Sequence, residues 1–508
     1  MVTYEKIAAV NRWWSQNELF AANDPDLLKL MSMQIKFNRK VPKLDIGKIY
    51  VIKGPRRIGK TVWIKTRILE ALKNNEFSKR DIFYFSFDNV KSDIEFKNML
   101  NWFINEQPHE GNLLLFLDEI QNVNNWQNIL KSLYDDGTFK RSCVILTGSL
   151  AYVFELDELV GRIKESDIFL MRPFNFARFI SNTLNQKSPN FAADIFKFYL
   201  GYDIAPSEIE DLLKKITSIH LKINDPFEAW KNNVDIFLPY LPLLNKFLNL
   251  YIRTGGYPMI IDQWLKGDMA NRTLDVNNVY SDIYTYTKND AATVATVRPR
   301  DPFKAGMVLE SVFKYVGQRI SKIKMARAVN LDPVTFTSYL KRLQNSFAFL
   351  NIAGIDDNLK QTTIDKTYFA DVSMHYATGS AYYAKNVYDF IEETLQSTQV
   401  GCIIEEVMAQ HLARVRETGI TKHYDNYLKF MQLKSKKEID FLYLKEDGSI
   451  IGIEVKYQNS ISKNDFVKSK KINKYIIVTK DDIMFKDDTA HIPASIFLIL
   501  LQESEFEM

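Results

Sequence analysis

The chain has 508 residues, 46% of them apolar and 25% charged, with a formal net charge of +4. That length excludes a single hydrophobic core, so about two to four domains are expected. The composition is that of an ordinary soluble protein, and so small a net charge leaves any nucleic-acid partner to be argued from local patches. Cys143 and Cys402 lie far apart in apolar settings, which excludes a disulfide framework and points to a reducing, cytoplasmic compartment. The six histidines are scattered, without zinc-like spacing. The opening stretch, MVTYEKIAAVNRWW, lacks a signal-peptide pattern, and no apolar run approaches the ~18 residues of a membrane span. The longest such run, IPASIFLILL near the C-terminus, reads as a strand.

After an N-terminal segment (1–48), KIYVIKGPRRIGKTVWIKTRILEAL reads as a short apolar strand, a glycine-containing loop and an amphipathic helix. Gly54, Gly59, Lys60 and Thr61 fit G-x-x-x-x-G-K-[ST] in the strand–loop–helix setting that this phosphate-binding motif requires. The candidate nucleotide-binding residues are Gly54, Pro55, Arg56, Arg57, Ile58, Gly59, Lys60, Thr61 and Val62. The glycines let backbone N–H groups close around phosphate oxygens at a helix N-terminus. Lys60 is placed to reach the β- and γ-phosphates, and Thr61 to give its hydroxyl to Mg²⁺.

FYFSFDN supplies a further strand. NLLLFLDEIQNVNNW follows as a continuous apolar run, typical of a buried parallel strand, that ends in Asp118 and Glu119. Two acids there are poor core design but suit a site beside the phosphate loop. Asp118 would hold the Mg²⁺ shell, and Glu119 would orient or activate water. CVILTGSLAYVF adds another buried strand with Thr147 at its C-terminal end. That residue either touches the γ-phosphate or the water, or is a plain strand-end turn residue. Strands alternating with helices predict a doubly wound parallel sheet.

The succession GPRRIGKT, LFLDEIQNVNNWQNILKSLYDDG, ILTGSLAYVF, LVGRI and RPFNFARFI resembles a family of archaeal and bacterial AAA-type ATPases. YIRTGGYPMII continues it. The resemblance implies an ATPase core over 49–183, with ATP and Mg²⁺ as cofactors and a helical lid after it. It marks Gly161-Arg162 as a recurring element, with Arg162 a sensor or finger arginine or else a surface ion-pair partner, and it includes Arg56. It also implies a C-terminal region often left without an assigned function. A ring of copies is compatible with it, because AAA-type sites often borrow an arginine from a neighbour; monomeric switch ATPases carry the same motifs.

Residues 184–300 read as helices of the lid. Ser207 is a candidate N-cap, Gly255-Gly256 a helix stop, and the tyrosines of NVYSDIYTYTKND core residues of a packed helix. Residues 301–378 read as a winged helix: two helices around a turn at Asn330-Leu331-Asp332, the second starting near Pro333, then a wing at LKQTTIDKTYFAD. Ser338, Lys341 and Arg342 would lie on its outer face, against DNA or against solvent.

Residues 379–508 open with the amphipathic helix GCIIEEVMAQHLARVRETG, which bears Glu405. KEIDFLYLKEDGSIIGIEVKY then reads as two strands around Asp447-Gly448, with Asp440 on the first. Period-2 alternation sets Glu454 and Lys456 on one face of the second. Helix Glu, strand Asp, then Glu-x-Lys is the order of the PD-(D/E)xK nuclease core and resembles Holliday-junction resolvases and restriction-type enzymes. The resemblance implies metal held by Asp440, Glu454 and Glu405, with Lys456 activating water. Lys468, Lys470, Lys471 and Lys474 form a phosphate-contact patch or a solvated surface.

The expected fold is therefore α/β: a P-loop doubly wound parallel sheet with a helical lid, a winged-helix domain and a C-terminal restriction-endonuclease-like α/β domain. The expected function is that of a Mg²⁺-dependent ATPase acting on DNA, with a metal-dependent nuclease-like domain and no membrane partner. The alternative is a nucleotide switch whose C-terminal domain is an inactive binding module.

Overall fold

A computed structural model describes residues 3–39, 42–149, 161–185, 197, 201, 204–265, 269–293, 301–397, 399–416, 424–433, 437–462 and 466–502. Two sheets organise them. The first has five parallel strands: β1 (Ile49–Lys53), β2 (Ile82–Ser86), β3 (Leu113–Asp118), β4 (Ser142–Gly148) and β5 (Ile168–Leu170). Their order is β2-β3-β4-β1-β5. Every residue of β1, β3 and β4 is buried, as expected of parallel strands covered on both faces. β4 follows β3 in the chain but lies between β3 and β1, with Ile52 opposite Thr147 and Leu117 opposite Leu146. That order brings the ends of β1, β3 and β4 to one edge, where ligands bind in doubly wound folds.

Helix α1 (Pro25–Ser32) is capped by Asp24, which accepts from the N–H groups of Asp26 and Leu27. Helix α2 (Lys60–Lys73) packs against it. The N-terminal segment is fastened to the sheet by buried groups: Trp13 and Trp14 both donate to the Ile82 carbonyl, and Asp24 pairs with Lys65 at 2.8 Å.

In the middle region the helix Pro206–Ser218 is capped by Ala205, so the expected Ser207 cap is displaced by two residues. Pro206 takes the first helical position, where its missing N–H costs nothing, and Glu208 accepts from the Ala205 N–H instead. Helix α3 (Leu241–Thr254) stops at Gly255 (φ 65°), as its sequence predicts. The glycine pair has a second role. A Cβ on Gly256 would meet Phe174 O at 2.1 Å, and one on Gly255 would meet Asp371 Oδ1 at 2.1 Å. Phe174 N–H donates to Gly256 O at 2.8 Å, and Gly256 N–H to Asp371 Oδ2 at 3.0 Å. RPFNF, RTGGYP and FADVS thus interlock at one buried joint.

Helices α4 (Met269–Thr293), α5 (Pro302–Lys314), α6 (Lys322–Arg327) and α7 (Pro333–Asn345) follow. α6 and α7 form the expected helix–turn–helix outline, with Asn330 in the left-handed region (φ 54°) and Asp332 capping α7. The second sheet has eight strands: β6 (Phe349–Asp356), β7 (Gln361–Phe369), β8 (Leu428–Gln432), β9 (Glu438–Leu444), β10 (Ile450–Val455), β11 (Lys474–Thr479), β12 (Met484–Lys486) and β13 (Thr489–Pro493). They run β12-β13-β11-β10-β9-β8-β6-β7. The expected wing, LKQTTIDKTYFAD, forms β7, which pairs antiparallel with β6, and β6 pairs in parallel with β8. One sheet therefore crosses position 378, and the two C-terminal units drawn from sequence share it.

IPASIFLILL is not one strand. β13 ends at Pro493, and Ala494–Leu500 is a fully buried helix. A run that is apolar on every side lacks the periodicity that separates a buried strand from a buried helix. Among the described residues no helix is long and apolar enough to cross a membrane.

Candidate functional site

The phosphate loop leaves β1 at Gly54 and enters α2 at Lys60. Gly59 holds φ 102°, a region closed to side chains, and a Cβ on Gly54 would strike Met171 O at 2.1 Å. Lys60 Nζ donates to the carbonyls of Gly54 (2.9 Å) and Pro55 (3.1 Å) and lies 3.6 Å from Glu119 Oε1. Thr61 Oγ1 donates to Asp118 Oδ2 at 2.8 Å, and Tyr84 OH to the same oxygen at 3.3 Å. Lys60, Thr61, Asp118, Glu119 and Thr147 are thus brought together, as the motif spacing predicts.

Thr147 is fully buried and donates to Asp118 Oδ1, while accepting from the Glu119 N–H at 3.3 Å. Its hydroxyl positions the acid pair. Glu119 stands in the left-handed region (φ 52°), which costs a non-glycine residue roughly 1–2 kcal/mol. Its side chain accepts from Gln121. Burial, then the neighbouring Glu119 charge, push the Asp118 carboxyl up. Burial also pushes Glu119 up, but Lys60 and Arg56 outweigh it and hold Glu119 below the usual carboxylate range. The pair therefore divides into a readily ionised Glu119 and an acid tuned by its hydroxyl partners.

The loop arginines turn away from the acids towards α4. Arg56 Nε donates to Asp290 Oδ1 at 2.7 Å, and Arg57 Nη2 to Asp282 Oδ2 at 2.7 Å. Both guanidinium groups lie by the Tyr286 ring, 5.7 and 4.9 Å from its centroid. Burial pushes Asp290 up to about 6 against the pull of Arg56. Sequence reasoning found no site residue in this helix and took its tyrosines as core. Tyr280 is core, but Tyr286 is not. The overlooked signal is Asp282, Tyr286 and Asp290 at i, i+4 and i+8, one helix face opposite two adjacent loop arginines.

Beside the loop a cavity of about 300 Å³ is lined by Leu30, Phe37, Ile58, Val62, Trp63 and Met259 among others. Gly59 also lines it, and Trp63 keeps a buried indole N–H with no acceptor among the described residues. Largely apolar walls with two orphaned donors, Trp63 Nε1 and Arg67 Nε, suit a planar heterocyclic base whose phosphates reach the loop. The residues present fit a nucleotide. The N-terminal segment forms part of this cavity, a role that its sequence did not announce. Arg162 does not join the site: it forks onto Asp135, with Nε–Oδ1 and Nη2–Oδ2 both 2.7 Å.

On α6 and α7, Lys324, Arg327, Val334, Thr337 and Lys341 are exposed, while Ser338 and Arg342 are half-buried.

Glu405 lies on α8 (Val400–Leu412), which is bolted to the first sheet's RPFNF segment. His411 Nε2 accepts from the Phe176 N–H at 2.9 Å, its Nδ1 donates to Val407 O at 2.8 Å, and Arg414 donates to Pro173 O at 2.9 Å. Burial drives the His411 imidazole down to about 3, so it is neutral. Glu405, Asp440, Glu454 and Lys456 converge as predicted. Lys456 Nζ is 3.0 Å from Glu454 Oε2 and 3.9 Å from Asp440 Oδ2. Burial, then the Asp440 charge, push Glu454 up to about 9. A residue that sequence reasoning did not single out enters this cluster. Lys366 on β7 places Nζ 2.9 Å from Glu405, 3.1 Å from Glu438 and 3.9 Å from Asp440. Among the described residues no group of three or more His, Cys, Asp or Glu side chains is arranged to hold a metal. In this arrangement the Lys366 ammonium stands where Glu405, Glu438 and Asp440 face one another.

Residues 47–180 match the family model described as AAA domain. Residues 245–381 and 400–497 match two further models, each described as a domain of unknown function (DUF8612 and DUF4143). The chain is 21% identical over 472 residues to the uncharacterized protein MJ1637 of Methanocaldococcus jannaschii, covering 90% of this chain and 86% of that one. It is 30% identical over 184 residues to the uncharacterized protein MJ1544 of the same organism, covering 34% of this chain and 38% of that one. Among solved structures, the Aeropyrum pernix ORC1 protein in complex with DNA aligns at 13% identity over 76% of this chain and 94% of that one, with a TM-score of 0.30. A Thermotoga maritima RuvB mutant aligns at 13% identity over 60% and 81%, with a TM-score of 0.25. Likeness at that level does not bear on function. The segment 47–180 is an AAA-type P-loop domain by its family match, its motif and its parallel sheet.

Proposed function

We propose that the chain binds and hydrolyses ATP and uses the nucleotide cycle to act on DNA. The observation that carries the first part is the convergence of Lys60, Thr61, Asp118 and Glu119 at one end of β1 and β3. Bound Mg²⁺ would neutralise the charge that develops on the transferred phosphoryl group. The backbone N–H groups at the start of α2 cradle the phosphates, and Lys60 leaves its two carbonyl partners for the β- and γ-oxygens. Thr61 and Asp118 would hold the metal shell. Glu119, ionised and fixed by Gln121, orients the attacking water.

The second part rests on α4. This helix grips the loop through Asp282 and Asp290, and it packs against α5 and α7. Nucleotide phosphates compete with the two carboxylates for Arg56 and Arg57, so occupancy of the loop is felt by the helix–turn–helix. The exposed Lys324, Arg327 and Lys341 give that motif a basic face suited to a phosphate backbone. The C-terminal sheet serves this reading as a nuclease-like scaffold that binds rather than cuts, an assignment favoured by Lys366 within the acid cluster.

The test is ATP hydrolysis by the full chain with and without single-stranded, duplex and branched DNA. Hydrolysis that rises several-fold with one of them supports the reading. Hydrolysis unaffected by any of them leaves a nucleotide switch acting on another partner. No hydrolysis at all removes the first part.

A further inference from the structure

We propose that Lys366 is a built-in cation that takes the place of a divalent ion in the C-terminal carboxylate cluster, so that this cluster is an ionic joint closed to metal. The proposal does not depend on the ATPase reading, since the cluster and the phosphate loop belong to different sheets.

Lys366 is 1% exposed, and its ammonium faces three carboxylates from two elements: Glu405 of α8, and Glu438 and Asp440 of β9. The joint continues outwards. Tyr368, two residues on along β7, donates to the same Glu405 oxygen at 2.6 Å, Arg319 pairs with Glu438 at 2.8 Å, and Lys456 meets Glu454 and Asp440. Three cations therefore stand among four carboxylates; Lys456 belongs to the nuclease order itself, and Lys366 and Arg319 are the charges added to it. Mg²⁺ holds its oxygens at about 2.1 Å. An ammonium 2.9 Å from Glu405, 3.1 Å from Glu438 and 3.9 Å from Asp440 supplies positive charge on the side of the cluster that these acids line.

Withdrawal of the ammonium is restricted by the backbone that carries it. Lys366 lies mid-strand, opposite Ile352 of β6, and β6 is in turn paired to β8. The neighbouring Thr367 carbonyl accepts from Gly317 N–H at 3.0 Å, and Asp365 pairs with Lys322 at 2.9 Å. These contacts fix the Lys366 backbone, so Nζ could leave the cluster only by a change of side-chain rotamer that breaks its ion pairs with Glu405 and Glu438. The acid order that resembles a nuclease core is thereby retained, while the charge that holds it is covalent.

The experiment is Mn²⁺ titration of the nucleotide-free full chain, read by electron paramagnetic resonance of the free ion. Four proteins are compared: wild type, Asp440→Asn, Lys366→Met and the double variant Lys366→Met/Asp440→Asn. Wild type and Asp440→Asn are expected to give the same isotherm. Lys366→Met is expected to gain a site at least about tenfold tighter, which the double variant loses. A wild-type site abolished by Asp440→Asn overturns the proposal, as does a folded Lys366→Met with no gained site. Should Lys366→Met not fold, amine-reactive labelling of wild type decides. Lys366 equally protected with and without Mn²⁺ supports the proposal, and labelling that rises with Mn²⁺ overturns it. ATP hydrolysis plays no part in either readout, so the two proposals fail separately.

Discussion

Arg56 of the phosphate loop and Asp290 of α4, 234 residues apart in the chain, are joined by a 2.7 Å hydrogen bond between Nε and Oδ1. The bond ties a residue of the phosphate loop to a helix that also packs on the helix–turn–helix. Asp290 is 6% exposed, so the contact is only weakly screened by solvent. Asp290→Asn removes the competing charge and should tighten ATP binding about three- to tenfold, while reducing the effect of DNA on hydrolysis. Fluorescent-nucleotide titration with and without DNA measures both. Affinity and coupling both unchanged from wild type would remove α4 from the nucleotide cycle.

The loop and the acids make separable contributions. Lys60→Ala deletes a point charge and should weaken ATP binding at least about tenfold, since hydrogen bonds to charged groups contribute about 1.5–3 kcal/mol. Glu119→Gln keeps shape and most packing. It should bind ATP nearly as wild type does and lower kcat by about 10²-fold or more. Nucleotide binding and single-turnover hydrolysis measured on the same preparations check the pair. Wild-type turnover in Glu119→Gln would strip that residue of its role.

His411 makes the joint between the two sheets sensitive to acid. Its imidazole must stay neutral to accept from the Phe176 N–H, and burial holds its folded pKa at about 3, well below the usual 6.5. A depressed folded pKa means that the unfolded chain binds the proton more tightly. The stability concerned is fully present above pH ~6.5 and is lost as pH falls towards 3, reaching about 2 kcal/mol of loss by pH 5. His411→Gln offers no titrating group there and should flatten the pH dependence of denaturant unfolding between pH 7 and 5. Parallel curves for the two proteins would contradict this.

DNA affinity should fall as salt rises, because each phosphate contact releases a counterion. Lys341→Ala with Arg342→Ala should weaken duplex binding and reduce the slope of log K against log salt by about 1–2. Fluorescence anisotropy over a salt series measures both quantities. A double variant with the wild-type slope would place the contact elsewhere.

Gly256→Ala tests the three-segment joint. The new Cβ would sit 2.1 Å from the Phe174 carbonyl oxygen, a backbone atom that cannot swing aside. Destabilisation of about 2–3 kcal/mol is expected from such overpacking. Thermal unfolding compares the variant with Gly401→Ala, at a glycine whose Cβ would meet nothing within 4 Å. Equal melting temperatures would show that the joint tolerates the intrusion.

Much of this protein is set by short-range patterns that the sequence carries alone. The phosphate loop, the acids after β3, the cap at Asp332, the turn at Asp447-Gly448 and the shared face of Glu454 and Lys456 all follow from local chemistry. Glycine conformations, side-chain caps and period-2 alternation act within a few residues, so the preference for their geometry is set by the local sequence. Where local pattern is mute the reading failed: IPASIFLILL has no polar face to betray its helix, and Pro206 shifted a cap that Ser207 seemed to claim. Tertiary structure decided the rest. It slid β4 between β1 and β3, so that Thr147 reaches Asp118. It laid α4 on the phosphate loop, merged the expected wing with the C-terminal sheet, and drove Lys366 into an acid cluster otherwise read as a metal site. These partners are separated by tens to hundreds of residues, and their meeting depends on which apolar faces bury one another, a choice made by the whole core rather than by any segment within it.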